Sequence, residues 1–236
     1  MRKIIFLLGF LASVAFNAQK HDLDSEISGY VKMVNKDSLK ANVEKLVSFG
    51  TRHTMSSTTD KDKGIGAARN WVLSKFNDYA KNSKGRMEVY LQNEDLQPDG
   101  KRIDKLTNLG NPIAILKGTD PTDNRVLIIS GHLDSRASDV MDSKIDAPGA
   151  NDDGSGVAAV MEISRIMSKR SFPFTIIFVA VVGEEQGLYG ARHLAEKAKA
   201  ENWNIIAMLN NDMIGNSLSN GTGLRDNINV RVFSEA

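Results

Sequence analysis

Two adjacent acidic residues, Glu184 and Glu185, directly follow the almost wholly apolar run Phe174 to Val182 and the turn residue Gly183. An apolar run of this length predicts a buried strand, and a fold gains nothing from two like charges where such a strand ends. The pair could do chemistry instead, with one carboxylate binding a metal ion and the other carrying a proton. This interpretation requires further metal ligands elsewhere in the chain.

Potential ligands also follow two other predicted strands. His132 and Asp134 come after a strand predicted to end at Ile129, and Asp212 comes after one predicted to end at Leu209. Because ligands of open parallel sheets bind beyond the carboxyl ends of the strands, we expect these side chains to lie together. His132 and Asp134 share one face of an extended segment, where Asp134 can accept the second N–H of the imidazole.

A fourth acidic segment, Pro148 to Gly156, contains Asp152 and Asp153 and leads into a predicted helix. The N-terminus of a helix favours negative charge. Considered singly, His132 could be an ordinary loop histidine, either aspartate a helix cap and Asp212 a turn residue. Four separate segments that bring acids to one end of a sheet are better explained together by a metal site.

The chain contains no cysteine, so a metal ion must be held by His, Asp and Glu. Such ligands suit zinc, and also manganese or cobalt. Several acids with few histidines favour two metal ions that share a bridging carboxylate, because the excess negative charge must be neutralised. Two ions about 3.5–4 Å apart can acidify a water between them and polarise a carbonyl oxygen. A glutamate that does not bind metal would pass the water's proton to a leaving amine, which predicts hydrolysis of an amide or similar bond.

Hydrophobic periodicity predicts the elements that position these residues. From Arg125 onward, apolar strands alternate with helices, which predicts a parallel sheet covered on both faces. The predicted helices are Asp37–Gly50, Gly64–Tyr79, Gly156–Met167 and Leu188–Ala200, and the predicted strands are Met87–Leu91, Ile113–Leu116, Arg125–Ile129, Phe174–Val182 and Ile205–Leu209.

Residues 1–18 are predicted to be a secretory signal peptide. A basic start is followed by the apolar run Ile4–Phe16, which is shorter than the roughly 20 residues of a membrane-spanning helix, and by Ala18 at the expected cleavage point. Residues 19–236 are then predicted to form one domain, secreted or periplasmic and without stable membrane insertion. Without the two basic residues of the leader, 28 basic residues remain against 29 acidic ones, so no nucleic-acid partner is expected. The sequence does not indicate an oligomeric state.

These motifs resemble the co-catalytic di-zinc exopeptidases, a family typified by bacterial leucyl aminopeptidase, with glutamate carboxypeptidase II and the glutaminyl cyclases as relatives. The resemblance runs from Phe49 to Gly215, and its motifs occur in the family's order and spacing. They are Gly131-His132-Leu133-Asp134-Ser135, Ala147–Gly156, Gly183–Gly190 and Asn211-Asp212-Met213. The resemblance implies an α/β three-layer sandwich with a mixed, largely parallel central sheet and helices on both faces, the phosphorylase/hydrolase-like zinc exopeptidase fold.

The resemblance also implies the metal ligands. His132 and Asp212 would bind one zinc ion, Glu185 would bind the other, and Asp152 would bridge both, which gives two Zn²⁺ per complete site. A cis peptide bond is implied between Asp152 and Asp153.

The implied activity is that of a metallo-exopeptidase, a hydrolase. Glu184 would be the general acid/base beside the metal-bridging water, and Asp134 would be the partner that orients His132. The expected substrate is a peptide, and an aminopeptidase that removes N-terminal residues is the leading hypothesis. The alternatives are a carboxypeptidase or glutaminyl cyclase of the same fold, or a non-catalytic module that lacks the last metal ligand.

The sequence departs from the family pattern near its end. The family has one more zinc ligand, a histidine downstream of Asp212, whereas no histidine follows His193 here, which is interpreted as an exposed helical residue. Apolar alternation at 228–232 predicts a last strand close to the end of the chain. We therefore interpret the sequence as C-terminally truncated and expect one metal to have an incomplete protein shell. Earlier in the chain, His53 is interpreted as a polar surface residue and Arg136 as a loop residue without a ligand role.

Overall fold

The computed structural model describes residues 23–218, 221–229 and 231–234. The described chain divides into two compact units and passes from the first to the second after Asn35. The first contains a helix over residues 23–32, and the second contains all the other helices and strands described below. The predicted signal peptide lies outside the described residues. Within the described ranges, no helix is both long and apolar enough to cross a membrane.

The second unit is built from helices and strands in alternation after an initial helical pair and a hairpin. Each helix and strand predicted up to Leu209 is present, with shifts at the ends. The helices are α1 (Lys36–Val47), α2 (Gly64–Ala80), α3 (Gly154–Met167) and α4 (Tyr189–Ala200), and the strands are β1 (Met87–Leu96), β2 (Thr107–Leu116), β3 (Arg125–His132), β4 (Thr175–Val181) and β5 (Asn204–Asn210).

The five strands form one mixed sheet in the order β1-β2-β4-β3-β5. Strand β3 pairs in parallel with β4 on one side and with β5 on the other. Strand β2 is antiparallel to both of its neighbours, β1 and β4. The open mixed sheet confirms the predicted fold class. Because β3, β4 and β5 run in the same direction, the segments that follow them leave from the same end of the sheet.

Strands β1 and β2 are longer than the short apolar runs that predicted them. Their antiparallel ladder joins ten residues of each strand, from the pair Met87–Leu116 to the pair Leu96–Thr107. Polar residues continue the ladder, and Asn111 Nδ2 donates to Gln92 Oε1 at 3.0 Å on the neighbouring strand. Cross-strand pairs of this kind extend a sheet beyond its apolar segment, which hydrophobic patterning does not detect.

Helices cover both faces of the sheet, as predicted. Phe178 of β4 packs in one buried cluster with Val72 of α2 and Met161 of α3. Its neighbour Val179 points to the opposite face and packs in a second cluster with Leu194 of α4. The burial of both faces explains why β4 is apolar at nearly every position.

Strand β5 lies at an edge of the sheet, where β3 is its paired neighbour. Its apolar side chains remain exposed, including those of Met208 and Leu209. The predicted strand at 228–232 is wrong for the described residues of that segment, which form no strand, and Ile228 is 93% exposed. Val230 lies outside the described residues. Alternation supplies an apolar face, but a strand also needs a neighbour to share its hydrogen bonds, and the described part of this segment pairs with no strand of the sheet.

Candidate active site

Strand β3 extends beyond its predicted end at Ile129 and includes His132 as its last residue. The parallel ladder with β4 continues to the pair His132–Val181. His132 is therefore fixed by regular structure, and only 2% of its surface is exposed. Gly131 permits the close approach of α3, because a Cβ atom at this position would lie 2.9 Å from the main-chain nitrogen of Val157.

Three of the predicted metal ligands lie together beyond the end of β3. His132 Nε2 is 2.9 Å from Oδ1 of Asp152 and 3.8 Å from Oδ1 of Asp212. One ligand atom from each of these residues lies within 4.8 Å of the others. An imidazole nitrogen and two carboxylates are donors that zinc accepts, so this cluster fits a metal ion. The same three residues are those that the sequence resemblance assigns to one zinc.

The second ring nitrogen of His132 orients the imidazole. His132 Nδ1 is 3.1 Å from the main-chain carbonyl oxygen of Asp134 and 3.7 Å from its carboxylate Oδ1. The nearer acceptor is thus the carbonyl oxygen and not the carboxylate that the spacing suggested. A proton held on Nδ1 leaves Nε2 facing Asp152 and Asp212, which is the orientation that a metal-binding histidine requires.

The carboxylate of Asp134 instead fixes the main chain of the acid pair. It is fully buried. The N–H of Glu184 donates to its Oδ1 at 3.2 Å, and the N–H of Glu185 donates to its Oδ2 at 3.1 Å. The hydroxyl of Thr54 also donates to Oδ2, at 3.0 Å. These contacts join the segment after β3 to the segment after β4, a connection that sequence spacing did not predict.

Glu184 and Glu185 have different surroundings. Burial raises the pKa of Glu184, and the charge of Asp134 adds to this effect against the opposing charge of His132. A carboxyl group with a raised pKa is suited to proton transfer near neutral pH. Glu185 lies outside the three-residue cluster, and its Oε2 is 2.7 Å from Nε of Arg136. Arg136 is therefore a site residue and not the uninvolved loop residue that the motif comparison suggested.

Asp153 organises the site, although the motifs gave it no role beyond a possible helix cap. Its peptide bond with Asp152 is cis, as the resemblance implied. Asp153 Oδ2 accepts the main-chain N–H of His132 at 2.9 Å, and Oδ1 accepts those of Gly156 at 2.9 Å and Met213 at 3.3 Å. Asp153 thus joins the end of β3, the start of α3 and the segment after β5. An acid directly before a helix was the available sequence signal.

The site has a strong excess of negative charge. Burial lowers the pKa of His132, but the carboxylate of Asp134 and the charges of Asp153 and Glu184 outweigh burial and raise it to about 10. Burial raises the pKa of Asp153 to about 7, although His132 opposes this. Burial also raises the pKa of Glu185, with the charge of Asp152 in support. A metal cation would relieve this charge.

Two buried residues of the segment after α1 support the site. Arg52 is 1% exposed and donates to the carbonyl oxygens of Leu133 at 2.7 Å, Pro148 at 2.7 Å and Gly149 at 2.9 Å. It thereby fastens the segment before α3 to the end of β3. His53 is fully buried, so its interpretation as a surface residue is wrong. The turn that follows α1 folds inward against the segments beyond β3, which a short polar motif does not reveal.

His193 belongs to a different part of the fold. It lies on α4, and its Nδ1 is 2.8 Å from Oε2 of Glu94 on β1. Its side chain is partly buried by this contact, with 23% exposed, so it is less exposed than expected. The cluster of His132, Asp152 and Asp212 does not include it.

Comparison with protein families identifies the region that carries these residues. Residues 111–222 match the model of peptidase family M28. The chain contains a family M28 peptidase domain. The matched range extends from β2 to beyond Asp212 and so includes the three-residue cluster and the acid pair. The family resemblance found in the sequence is confirmed.

Curated fungal proteins are similar to the chain that carries this M28 domain. A "Probable zinc metalloprotease" of Leptosphaeria maculans is 44% identical over 212 residues, which cover 90% of this chain and 48% of that protein. A protein of the same description from Pyricularia oryzae is 45% identical, with 90% of this chain and 42% of that protein covered. The chain thus spans about half the length of these curated relatives.

Solved structures share the fold of the M28 domain. The LapA aminopeptidase of Legionella pneumophila has a TM-score of 0.62 at 20% identity, with 80% of this chain and 46% of that chain covered. A glutaminyl cyclase of Bacteroides thetaiotaomicron has a TM-score of 0.61 at 21% identity, with 78% and 64% covered. At such identities the likeness establishes the fold alone, and it confirms the predicted zinc exopeptidase fold.

Proposed function

We propose that this M28 domain belongs to a zinc-dependent exopeptidase, an aminopeptidase that removes N-terminal residues from peptides. The observation that carries the proposal is the cluster of His132, Asp152 and Asp212 beside Glu184, a carboxyl group whose pKa is raised. A metal centre adjacent to such a carboxyl group is the combination that amide hydrolysis needs. The description of the fungal relatives as zinc metalloproteases supports the same chemistry.

Zinc is the proposed cofactor, with two ions in the complete site. His132, Asp152 and Asp212 would hold one ion, and Asp152 would be shared with a second ion that also takes Glu185. Bound zinc supplies polarisation of the scissile carbonyl group and a water that is nucleophilic at neutral pH. The relatives' description favours zinc over manganese or cobalt, which the ligand types alone leave open.

The chain's own acids move the proton. Glu184 takes a proton from the attacking water at its side-chain carboxylate and delivers it to the leaving amine, so that the amine departs neutral. Asp134 keeps Glu184 in place through the main-chain N–H of that residue. Asp134 also receives the N–H of Glu185, so one buried carboxylate holds the main chain of both acids.

The proposed substrates are peptides with a free N-terminus. The chain is proposed to reach them outside the cytoplasm, in the periplasm or as a secreted protein, after removal of residues 1–18. The basic start and short apolar run of that segment support export.

The variant Glu184→Gln tests the mechanism, because it keeps the size of the side chain and removes the proton carrier. We expect the turnover of aminoacyl-anilides to fall by about 10³-fold while zinc content, measured by elemental mass spectrometry, is retained. Glu201→Gln is a matched control, since Glu201 is an exposed acid beside Lys197. Survival of normal turnover in the Glu184→Gln variant would refute the assignment of the proton carrier.

Substrate classes separate the proposed aminopeptidase from its alternatives. The protein is incubated with aminoacyl-anilides, with N-blocked peptides and with peptides that begin with glutamine. Release of the aniline from the aminoacyl-anilides, with no cleavage of blocked peptides, supports an aminopeptidase. Cleavage of blocked peptides from the C-terminus alone indicates a carboxypeptidase, and conversion of N-terminal glutamine to pyroglutamate indicates a cyclase.

A further inference from the structure

A pair of buried polar side chains, His53 and Gln186, lies next to the acid pair in the fold through Gln186. Gln186 follows Glu185 in the chain and is 1% exposed, and His53 is fully buried. Their Nε2 atoms are 3.3 Å apart. We propose that His53 and Gln186 are positioning residues that hold the acid pair against the segment 136–147 through one shared main-chain carbonyl group, that of Val140. Only the expected effect on turnover rests on the proposed function.

The contacts of His53 determine which ring nitrogen carries its proton. The main-chain N–H of Met55 donates to Nδ1 at 3.0 Å, so Nδ1 is the acceptor. Neutral His53 therefore has its proton on Nε2, which lies 3.0 Å from the carbonyl oxygen of Val140 and donates to it. Nδ1 thus bonds to the local turn after α1, and Nε2 bonds to the segment 136–147.

Gln186 reaches the same carbonyl group. Its Nε2 donates to the carbonyl oxygen of Val140 at 2.7 Å. The opposite orientation of the amide would place two oxygen atoms 2.7 Å apart, so the observed one is required. The side-chain oxygen Oε1 is buried and has no hydrogen-bond partner in the described structure. The amide nitrogen also donates to the carbonyl oxygen of Arg102, at the longer distance of 3.4 Å. An unpaired buried acceptor costs free energy, so the amide is oriented by its donor bonds, of which the bond to Val140 is the shorter.

The segment 136–147 is therefore fastened to the acid-pair loop at two points. Near its start, Arg136 meets the carboxylate of Glu185. Near its centre, Val140 receives the donors of Gln186 and His53. Because Gln186 is the residue after Glu185, its bond to Val140 ties the main chain next to the acid pair to this segment. This segment also connects the end of β3 to the segment that carries Asp152 and Asp153, so its position affects several site residues together.

Two substitutions of His53 separate this role from a local structural one. In His53→Gln the side-chain Nε2 can still donate to Val140, whereas the acceptor for Met55 is lost. In His53→Asn the side-chain oxygen can still accept from Met55, whereas the donor to Val140 is lost. If His53 acts through Val140, His53→Gln should behave like the wild-type protein and His53→Asn should not. A role confined to the turn after α1 predicts the reverse order.

Hydrogen exchange of the amides in 136–147 is the first readout, because it does not depend on activity. We expect exchange of this segment to be about tenfold faster in His53→Asn and in Gln186→Met than in the wild-type protein, and nearly unchanged in His53→Gln. His193→Gln is the matched control, since that residue also makes a polar side-chain contact but lies on α4. Equal exchange in the Gln and Asn variants, or faster exchange in the Gln variant, would overturn the inference.

Turnover of aminoacyl-anilides is the second readout. We expect kcat to fall by about tenfold in His53→Asn with zinc content retained, and to fall by less than about threefold in His53→Gln. If the wild-type protein cleaves no peptide but the exchange order holds, the proposed function fails and the positioning role stands. If the wild-type protein is active and both variants match it in exchange and turnover, the positioning role fails alone.

Discussion

The guanidinium nitrogen Nε of Arg136 lies 2.7 Å from carboxylate oxygen Oε2 of Glu185. The carboxylate of Glu185 is largely buried, with 14% of the side chain exposed, whereas 38% of the Arg136 side chain is exposed. Arg136 thus provides a positive charge beside an acid that is also proposed to bind a metal ion. The guanidinium group repels a metal cation that binds Glu185, so Arg136 and the metal would compete for one carboxylate.

Replacement of Arg136 by Gln should therefore strengthen zinc binding. We expect the affinity of the second zinc equivalent to rise about three- to tenfold, a modest effect because Arg136 is partly exposed. Competition with a chelator measures the change. Arg125→Gln is the control, because it removes a comparable ion pair with Asp123 at an exposed turn. Unchanged or weaker zinc binding in Arg136→Gln would show that Arg136 orients Glu185 and does not compete.

Replacement of Asp134 by Asn should destabilise the protein. The buried carboxylate accepts the N–H groups of Glu184 and Glu185 and the hydroxyl of Thr54, and an amide has only one acceptor oxygen to offer. We expect the free energy of unfolding to fall by about 3 kcal/mol in urea titrations of metal-free protein at pH 7. Asp139→Asn is the control, since Asp139 also accepts a main-chain N–H but is exposed, and a change within about 0.5 kcal/mol is expected. Similar losses in both variants would contradict the prediction.

Replacement of Gly156 by Ala should disrupt the close packing of the start of α3 against Asp153 and against the segment after β5. A Cβ atom there would lie 2.2 Å from the carbonyl oxygen of Asn211 and 2.5 Å from the carboxylate of Asp153. We expect a loss of about 2 kcal/mol or more in unfolding free energy, together with weaker zinc binding, because Asp212 follows Asn211. Gly221→Ala meets no atom within 4 Å and should leave both measurements unchanged. Wild-type zinc affinity in Gly156→Ala would argue against the proposed metal position.

Zinc binding to the metal-free protein should depend on pH through His132. Burial lowers the pKa of this histidine, but Asp134 and the nearby acids raise it to about 10, so at neutral pH a proton occupies the ligand. Zinc must displace that proton, and a rise in pH removes the competitor. We expect affinity to increase about tenfold per pH unit between about pH 6 and 8.

Calorimetry in buffers of different ionisation enthalpy measures the protons released on zinc binding. His193→Gln is the control histidine and should preserve the slope. Affinity that does not change with pH would show that His132 is already neutral without metal.

The motifs predicted the α/β fold, and the apolar run of β4 was the clearest signal because both of its faces are buried. Periodicity was less informative for β1 and β2, which extend through polar residues such as Gln92 and Asn111 that pair across the ladder. It also failed at 228–232, where alternation occurs without a neighbouring strand among the described residues. Hydrophobic alternation shows which face of a segment can be buried. Whether the segment forms a strand also depends on a neighbouring strand that can pair with it.

The same division applies to the site. The sequence alone determined which residues are candidates for the chemistry, since the types and order of His132, Asp152, Glu184, Glu185 and Asp212 can be read from the motifs. Only the tertiary structure decided their partners. Hydrogen bonds and ion pairs between distant segments depend on atoms brought within about 3 Å of each other, and linear spacing does not encode such distances. For this reason the buried roles of His53 and Asp134, and the pairing of Arg136 with Glu185, emerged from the fold.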